Sequence, residues 1–260
     1  LGSIDYPDPH NSGRLERPQY QTARVLVLLA NDFDLLYNSP EFSKPSKNGT
    51  GTIRQHVEEN IIRDGGDYCY QKALAGHMAL TNGQADYVRG TLAAGIMLDD
   101  AEMIDVALDG PSRLQNFLDN CIDRDGQYYE TSVGYSEHCL TLYVDMAEML
   151  YNLRTKQYPK GINFYNNPRF QKTLIDSFVD IDVLGHTPRF GDWGPDTAVL
   201  TGAPSHFNRY PYWFSEVLVA REKNDAARER WLAAQQYFAD GDVTKRRDIS
   251  QFGDMITWFA

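Results

Sequence analysis

The chain has 260 residues, with 25 Lys+Arg against 36 Asp+Glu for a formal net charge of −11, and 42% apolar and 12% aromatic side chains. Such a chain buries a substantial core as one large domain or two small ones, and it is neither disordered nor fibrous. The acid surplus argues against wrapping a nucleic acid, which needs excess Lys and Arg on the binding face, so any anionic ligand must be drawn by local charge.

The opening LGSIDYPDPHNSG is polar and turn-rich and carries neither the basic start nor the apolar stretch of a signal peptide. Residues 22–37 (TARVLVLLANDFDLLY) spread apolar side chains over one broad helical face, with Pro40 just beyond. The run from Val25 to Ala30 is far shorter than the ~20 apolar residues that span a bilayer, so no membrane helix is expected. Residues 52–63 form a second amphipathic segment, which Gly65-Gly66 is expected to stop. Helical periodicity returns over 84–98, 101–122, 135–153, 168–181, 210–221 and 225–238. Period-two alternation of β-branched residues is scarce, so the pattern predicts an all-α fold of about eight helices, read as a single domain over residues 1–260. Successive helix pairs of similar length suit a toroid of helical hairpins. The chain ends on the apolar DMITWFA, an odd place for a free C-terminus, and the expectation is that it belongs to a longer protein.

Some connections are short (Asp99-Asp100, Asn224), whereas 124–134 and 182–209 are long and rich in aromatic, Gly and Arg residues. A plain bundle has little use for the long ones, and loops of that composition on a rigid frame are where binding sites sit. The three cysteines, Cys69, Cys121 and Cys139, are odd in number and widely spaced, so they read as buried thiols rather than a disulfide framework or a metal motif. No P-loop, G-x-G-x-x-G, H-E-x-x-H or G-x-S-x-G pattern occurs, and no cofactor is expected; a structural divalent metal stays open.

Three segments could carry chemistry. In 123–150 (DRDGQYYETSVGYSEHCLTLYVDMAEML) a turn at Asp125-Gly126 leads through Tyr128-Tyr129 and Glu130 to a long helix. Tyr135, Glu137 and His138 then fall in its first turn, where backbone N–H groups and the dipole favour negative charge. That placement suits a tyrosinate or a bound carboxylate, and equally a packed tyrosine. An EF-hand is ruled out, because Asp123, Asp125 and Glu130 lack the required spacing. In 76–95 the turn Thr81-Asn82-Gly83 precedes a helix, so Asn82 is either its N-cap or, with Gln84 and nearby His77, an amide offered to a ligand. In 184–197 (LGHTPRFGDWGPDT) His186, Arg189, Asp192 and Trp193 crowd between Gly and Pro turns, a composition suited to a sugar ring, and His206 and Arg209 extend it.

The order of these pieces resembles the helical domain of the heparinase II/III-like polysaccharide lyases and their alginate-lyase relatives. The family pattern is roughly an Asn before a helix ending A-G-x-x-L-x-D, then D-G-x-x-x-E-x-S-x-x-Y, then P-x-x-G-D; here it reads Asn82 with AAGIMLDD, DGQYYETSVGY and TPRFGDWG, over roughly residues 74–198. The resemblance implies an incomplete (α/α) toroid lacking a C-terminal β-sandwich domain, and β-elimination on an anionic, uronic-acid-containing polysaccharide. It implies Tyr135 as proton shuttle and Asn82 as the group that neutralises the uronate carboxylate. Where the family often has His directly after the tyrosine, Ser136 follows here, so a catalytic histidine would be His138, His77, His186 or His206, or one beyond this sequence. Gly83 stands where an aromatic or His commonly neighbours the Asn.

The chemistry suits such residues. Removing the C5 proton beside a carboxylate needs an amide or cation to hold the charge that develops, and Asn82 with Gln84 or Arg189 could do so. A tyrosine acts as base near neutrality only where cations or helix N–H groups stabilise its anion. The expected setting is secreted or periplasmic, with Arg189, Arg209, His186 and His206 lining a basic cleft on an acidic body; nucleic acid and membrane partners are not expected, and the oligomeric state is open. The rival readings are a glycoside hydrolase pairing Glu130 or Glu137 with Asp192, and a carbohydrate-binding protein without turnover.

Overall fold

The computed structural model describes residues 20–47, 50–76, 81–130, 133–170, 217 and 219–238. Among these the chain is helical, with no strand and only two isolated antiparallel bridges, Pro45 with Thr52 and Ile122 with Tyr128. Two compact units are present, one within residues 1–117 and one within 118–256. No described helix is long and apolar enough to cross a membrane.

In the first unit, α1 (Gln21–Leu35) buries Ala23, Leu26, Val27, Ala30 and Phe33, the i, i+3, i+4, i+7 spacing of one helical face. A short 3₁₀ turn (Pro40–Ser43) follows. Next comes α2 (Ile53–Val57), whose N-cap Thr52 and Gln55 form a capping box. A π-helical turn (Glu58–Arg63) carries the chain directly into α3 (Asp64–Ala75). Gly65 and Gly66 therefore lie inside a helix and do not stop one, contrary to the local reading. Tertiary packing explains the difference: a Cβ on Gly66 would lie 2.6 Å from Ala94 Cβ and 3.4 Å from Met103 Sδ, so the glycine lets α3 seat against its neighbours.

The neighbour is α4 (Asn82–Leu98), which packs against α1, α3 and α5 and buries Val88, Leu92, Ala93 and Ala94. Close approach depends on its own glycines. A Cβ on Gly90 would meet the Cα of Ala23 at 3.1 Å and Cys69 Sγ at 3.1 Å, and one on Gly95 would meet Met103 Cβ at 2.7 Å. The helix ends at Asp99 in the left-handed conformation (φ 52°). Asp100 then caps α5 (Ala101–Asp109), accepting from the Met103 N–H at 3.3 Å. The helix expected over 101–122 is two helices, α5 and α6 (Leu114–Asn120). Gly110 turns extended (φ −66°, ψ 170°) before Pro111, whose ring disfavours a helical predecessor and which has no N–H to give.

In the second unit, residues 121–130 make a tight loop in which Asp123 Oδ1 accepts from the N–H groups of Asp125 and Gln127 at 2.8 and 2.9 Å, and Gly126 supplies a positive φ of 84°. α7 (Val133–Asn152) buries Cys139, Leu140, Tyr143, Val144, Ala147 and Leu150. Two acids share that buried side, Asp145 and Glu148. Glu148 receives the Tyr165 hydroxyl at 2.6 Å and a bidentate Arg221 at 3.0 and 2.8 Å, and Arg221 also lies 4.2 Å from the Tyr151 ring centre. α8 (Asp225–Phe238) starts at Asn224, whose Oδ1 accepts from the Ala227 N–H at 3.2 Å, and buries Trp231.

Candidate functional site

At the start of α4 the N-cap is Thr81, not Asn82. Its backbone is extended and its Oγ1 accepts the Gln84 N–H at 3.3 Å. Asn82 is the first helical residue, half-buried, and its Oδ1 accepts from the Gly83 N–H at 2.7 Å. Its Nδ2 has no hydrogen-bond partner among the described residues. An amide held by its oxygen presents two N–H donors, here at a helix end whose dipole already favours an anion. Gly83 carries no side chain, but an aromatic ring still covers that position. A Cβ there would lie 3.1 Å from Tyr20 Cδ1, and the Arg24 guanidinium sits 4.7 Å from the centre of the same ring.

Gln84, also expected to offer its amide to a ligand, is 7% exposed and serves the fold. Its Nε2 donates to the carbonyl of Ala73 at 2.9 Å and more weakly to that of Lys72 at 3.5 Å, closing the end of α3. A Cβ on Gly76 would lie 2.1 Å from this nitrogen, which explains the glycine there. One turn beyond Asn82, fully buried Asp86 receives Arg24 Nε and Nη2 on Oδ2 at 2.9 and 2.8 Å, with Arg89 at 3.7 Å. Burial first, and then the Asp86 charge, hold the Cys69 thiol well above its ordinary range.

In the second unit α7 begins at Val133, so Tyr135 is its third residue and lies in the first turn as expected. Glu137 and His138 fall in the second turn, one step beyond the expectation. The helix-terminus field fades within a turn, so it acts on Tyr135 more than on His138. Tyr135 and His138 are both half-buried and stand three residues apart, side by side on one helix face. Ser136 and Cys139 turn into the protein.

Just before that helix lies a polar knot whose members the sequence named without linking them. Tyr128, only 1% exposed, packs edge-to-face on Tyr129 with ring centres 4.9 Å apart and couples electrostatically to Glu130 and Cys139. Burial pushes the Tyr128 hydroxyl far above its usual range. It also raises the Glu130 carboxyl, which the Tyr128 contact pulls partly back. The Cys121 thiol is pushed up to about 12 by burial and then by the Glu130 charge. Glu130 Oε2 is shielded from water and has no hydrogen-bond partner.

All three cysteines are buried free thiols, as the spacing predicted. No group of three or more His, Cys, Asp or Glu suited to a metal ion occurs among the described residues. His77, His186, Arg189, Asp192, Trp193, His206 and Arg209 lie outside the described residues, as do most of the helix expected over 168–181 and the aromatic loop. Tyr20 and Asp86 were not singled out from sequence. Asp86 carried a signal, an acid one turn from Asn82 on a helix with a long apolar second half, whereas Tyr20 meets Gly83 only through the fold. No protein-family model matches this chain, and no curated protein matches it.

Proposed function

We propose that this chain is the helical domain of a polysaccharide lyase, an (α/α) toroid that cleaves a uronic-acid-containing polysaccharide by β-elimination. The observation that carries the reading is the Asn82 amide, whose Nδ2 donors are unpaired at the N-terminus of α4 while its oxygen is held by the backbone. Two N–H donors in a helix-terminus field suit the carboxylate of a uronate, and they gain most when negative charge grows there.

In this reading Tyr135, as its anion, takes the C5 proton. The electrons of the C–H bond pass into an enolate-like carboxylate that Asn82 stabilises. They then form the C4=C5 double bond as the C4–O bond breaks, and the leaving oxygen receives a proton. Placement in the first turn of α7 supports Tyr135 because the local N–H groups and dipole favour the phenolate. The partner is the anionic polysaccharide itself, in a secreted or periplasmic setting.

The test is digestion of alginate, glucuronan, ulvan and heparin-type polymers, read by the near-ultraviolet absorbance of the unsaturated product. Absorbance should grow with at least one polymer. Tyr135→Phe should lower the rate by about 10² or more while leaving binding intact. New reducing ends without absorbance would sink the lyase and favour a hydrolase. One observation supports that second reading: Glu130, whose burial holds its carboxyl toward the protonated form a general acid needs. Binding without turnover, unaltered by Tyr135→Phe, would leave a carbohydrate-binding protein.

A further inference from the structure

A chain of contacts from the start of α1 converges on the backbone beside Asn82. Tyr20 is the N-cap of α1, yet its side chain caps nothing there. Its half-buried ring instead reaches α4 and fills the space that a side chain at Gly83 would need, since a Cβ would lie 3.1 Å from Tyr20 Cδ1 and 3.7 Å from Cγ. Arg24, one turn along α1 and on the same helix face, braces the ring with its guanidinium 4.7 Å from the ring centre. Fully buried Asp86 fixes Arg24 in turn, receiving Nε and Nη2 at 2.9 and 2.8 Å.

The series ends at the hydrogen bond that orients the Asn82 amide, in which Oδ1 accepts from the Gly83 N–H at 2.7 Å. Gly83 is the second residue of α4, so no helix carbonyl one turn back can take that N–H. Water competes for it, and the short Asn side chain turns readily to other rotamers when it wins. A ring packed on Gly83 restricts that access and lowers the local dielectric, and both effects favour the internal bond. Glycine is a poor helix former, and at 83 it makes room for the ring.

We propose that Tyr20 is a positioning residue for the Asn82 amide: its ring, braced by Arg24 and Asp86, keeps the Gly83 N–H on Asn82 Oδ1 and so keeps the Nδ2 donors turned away from the backbone. What the amide then does rests on the lyase reading above, to which this adds the device that aims it. Aim matters because donors that stabilise developing charge act only when they are in place before the charge appears, and a displacement of about 1 Å can cost about 10² in rate.

Hydrogen exchange of the Gly83 amide, read by NMR on the full chain, tests this without a substrate. Tyr20→Ala should speed that exchange by about tenfold or more while the amides of Val88 and Leu92, deeper in α4, and the melting temperature hold. Tyr20→Phe, which keeps the ring over Gly83 and under Arg24, should behave as wild type. Equal Gly83 exchange in Tyr20→Ala and wild type overturns the proposal, as does a rise shared by the whole helix. With any polymer that yields unsaturated product, Tyr20→Ala should also lower kcat by about tenfold or more and change KM less, with Tyr20→Phe restoring the rate. Faster Gly83 exchange with unchanged kcat overturns the positioning role. Absence of unsaturated product from wild type with every polymer sinks the lyase reading alone, and Gly83 exchange then decides whether Tyr20 aims the amide.

Discussion

Replacing Arg221 with Met tests how the second unit tolerates a charge in its core. Glu148 is 1% exposed, and its donors are the Tyr165 hydroxyl and Arg221 Nε on Oε1 and Arg221 Nη2 on Oε2. Arg221→Met strips Oε2 of its donor and leaves Oε1 with the hydroxyl alone. Removing one side of a buried pair costs about 3–5 kcal/mol. The Arg221 side chain is 22% exposed, so water can fill part of its place, and the lower end, about 3 kcal/mol, is expected at pH 7. Urea unfolding of wild type and variant at pH 7 reads the effect, and Glu148→Gln added to Arg221→Met should recover much of the loss. A deficit below about 1 kcal/mol would refute the claim that Arg221 neutralises a buried carboxylate.

Three further outcomes follow from particular contacts. Gly66→Ala gains up to about 1 kcal/mol of helix propensity but forces a Cβ to 2.6 Å from that of Ala94, a clash of about 1–3 kcal/mol, so unfolding should show a net loss; a neutral or stabilised variant would mean that α3 moves off α4 freely. Asp100 accepts from Met103 N–H and from Arg63 at 2.5 Å, and Arg63 first of all holds its carboxyl below the usual range. Asp100→Asn keeps a capping oxygen and should cost under about 1 kcal/mol at neutral pH, against about 1–2 for Asp100→Ala. The Asn deficit belongs to the ionised pair: it is present above the unfolded pKa of about 3.9 and should vanish as pH falls through the lower folded value, which acid titration of both variants can check. On the proposed lyase reading, Asn82→Ala should reduce turnover by about 10² to 10³ with little change in melting temperature; unchanged turnover would remove the amide from the mechanism.

Much of the frame was legible because helices announce themselves locally. The period of residues 22–37, the Thr81 turn before α4, the stop at Asp99-Asp100 and the long apolar run of α7 depend on neighbours within a few positions. The two errors have different origins. Gly65-Gly66 reads as a break because glycine lowers helix propensity, yet the helix continues since α4 can come close only where α3 lacks Cβ atoms. Conversely, Pro111 was passed over within the apolar pattern of 101–122, although the ring of a proline acts on its predecessor whatever the surroundings.

For the candidate site, the sequence by itself determined the residue types in order: an amide before one helix, a tyrosine at the start of another, and tyrosines beside a glutamate ahead of it. Chain order does not say which polar groups are already spent. Only the tertiary structure decided that Gln84 is consumed in closing α3, that the Asn82 donors remain open, and that Tyr20 covers Gly83. The physical reason is that hydrogen-bond capacity and burial belong to groups brought together from distant positions, whereas helix periodicity is written into neighbouring ones.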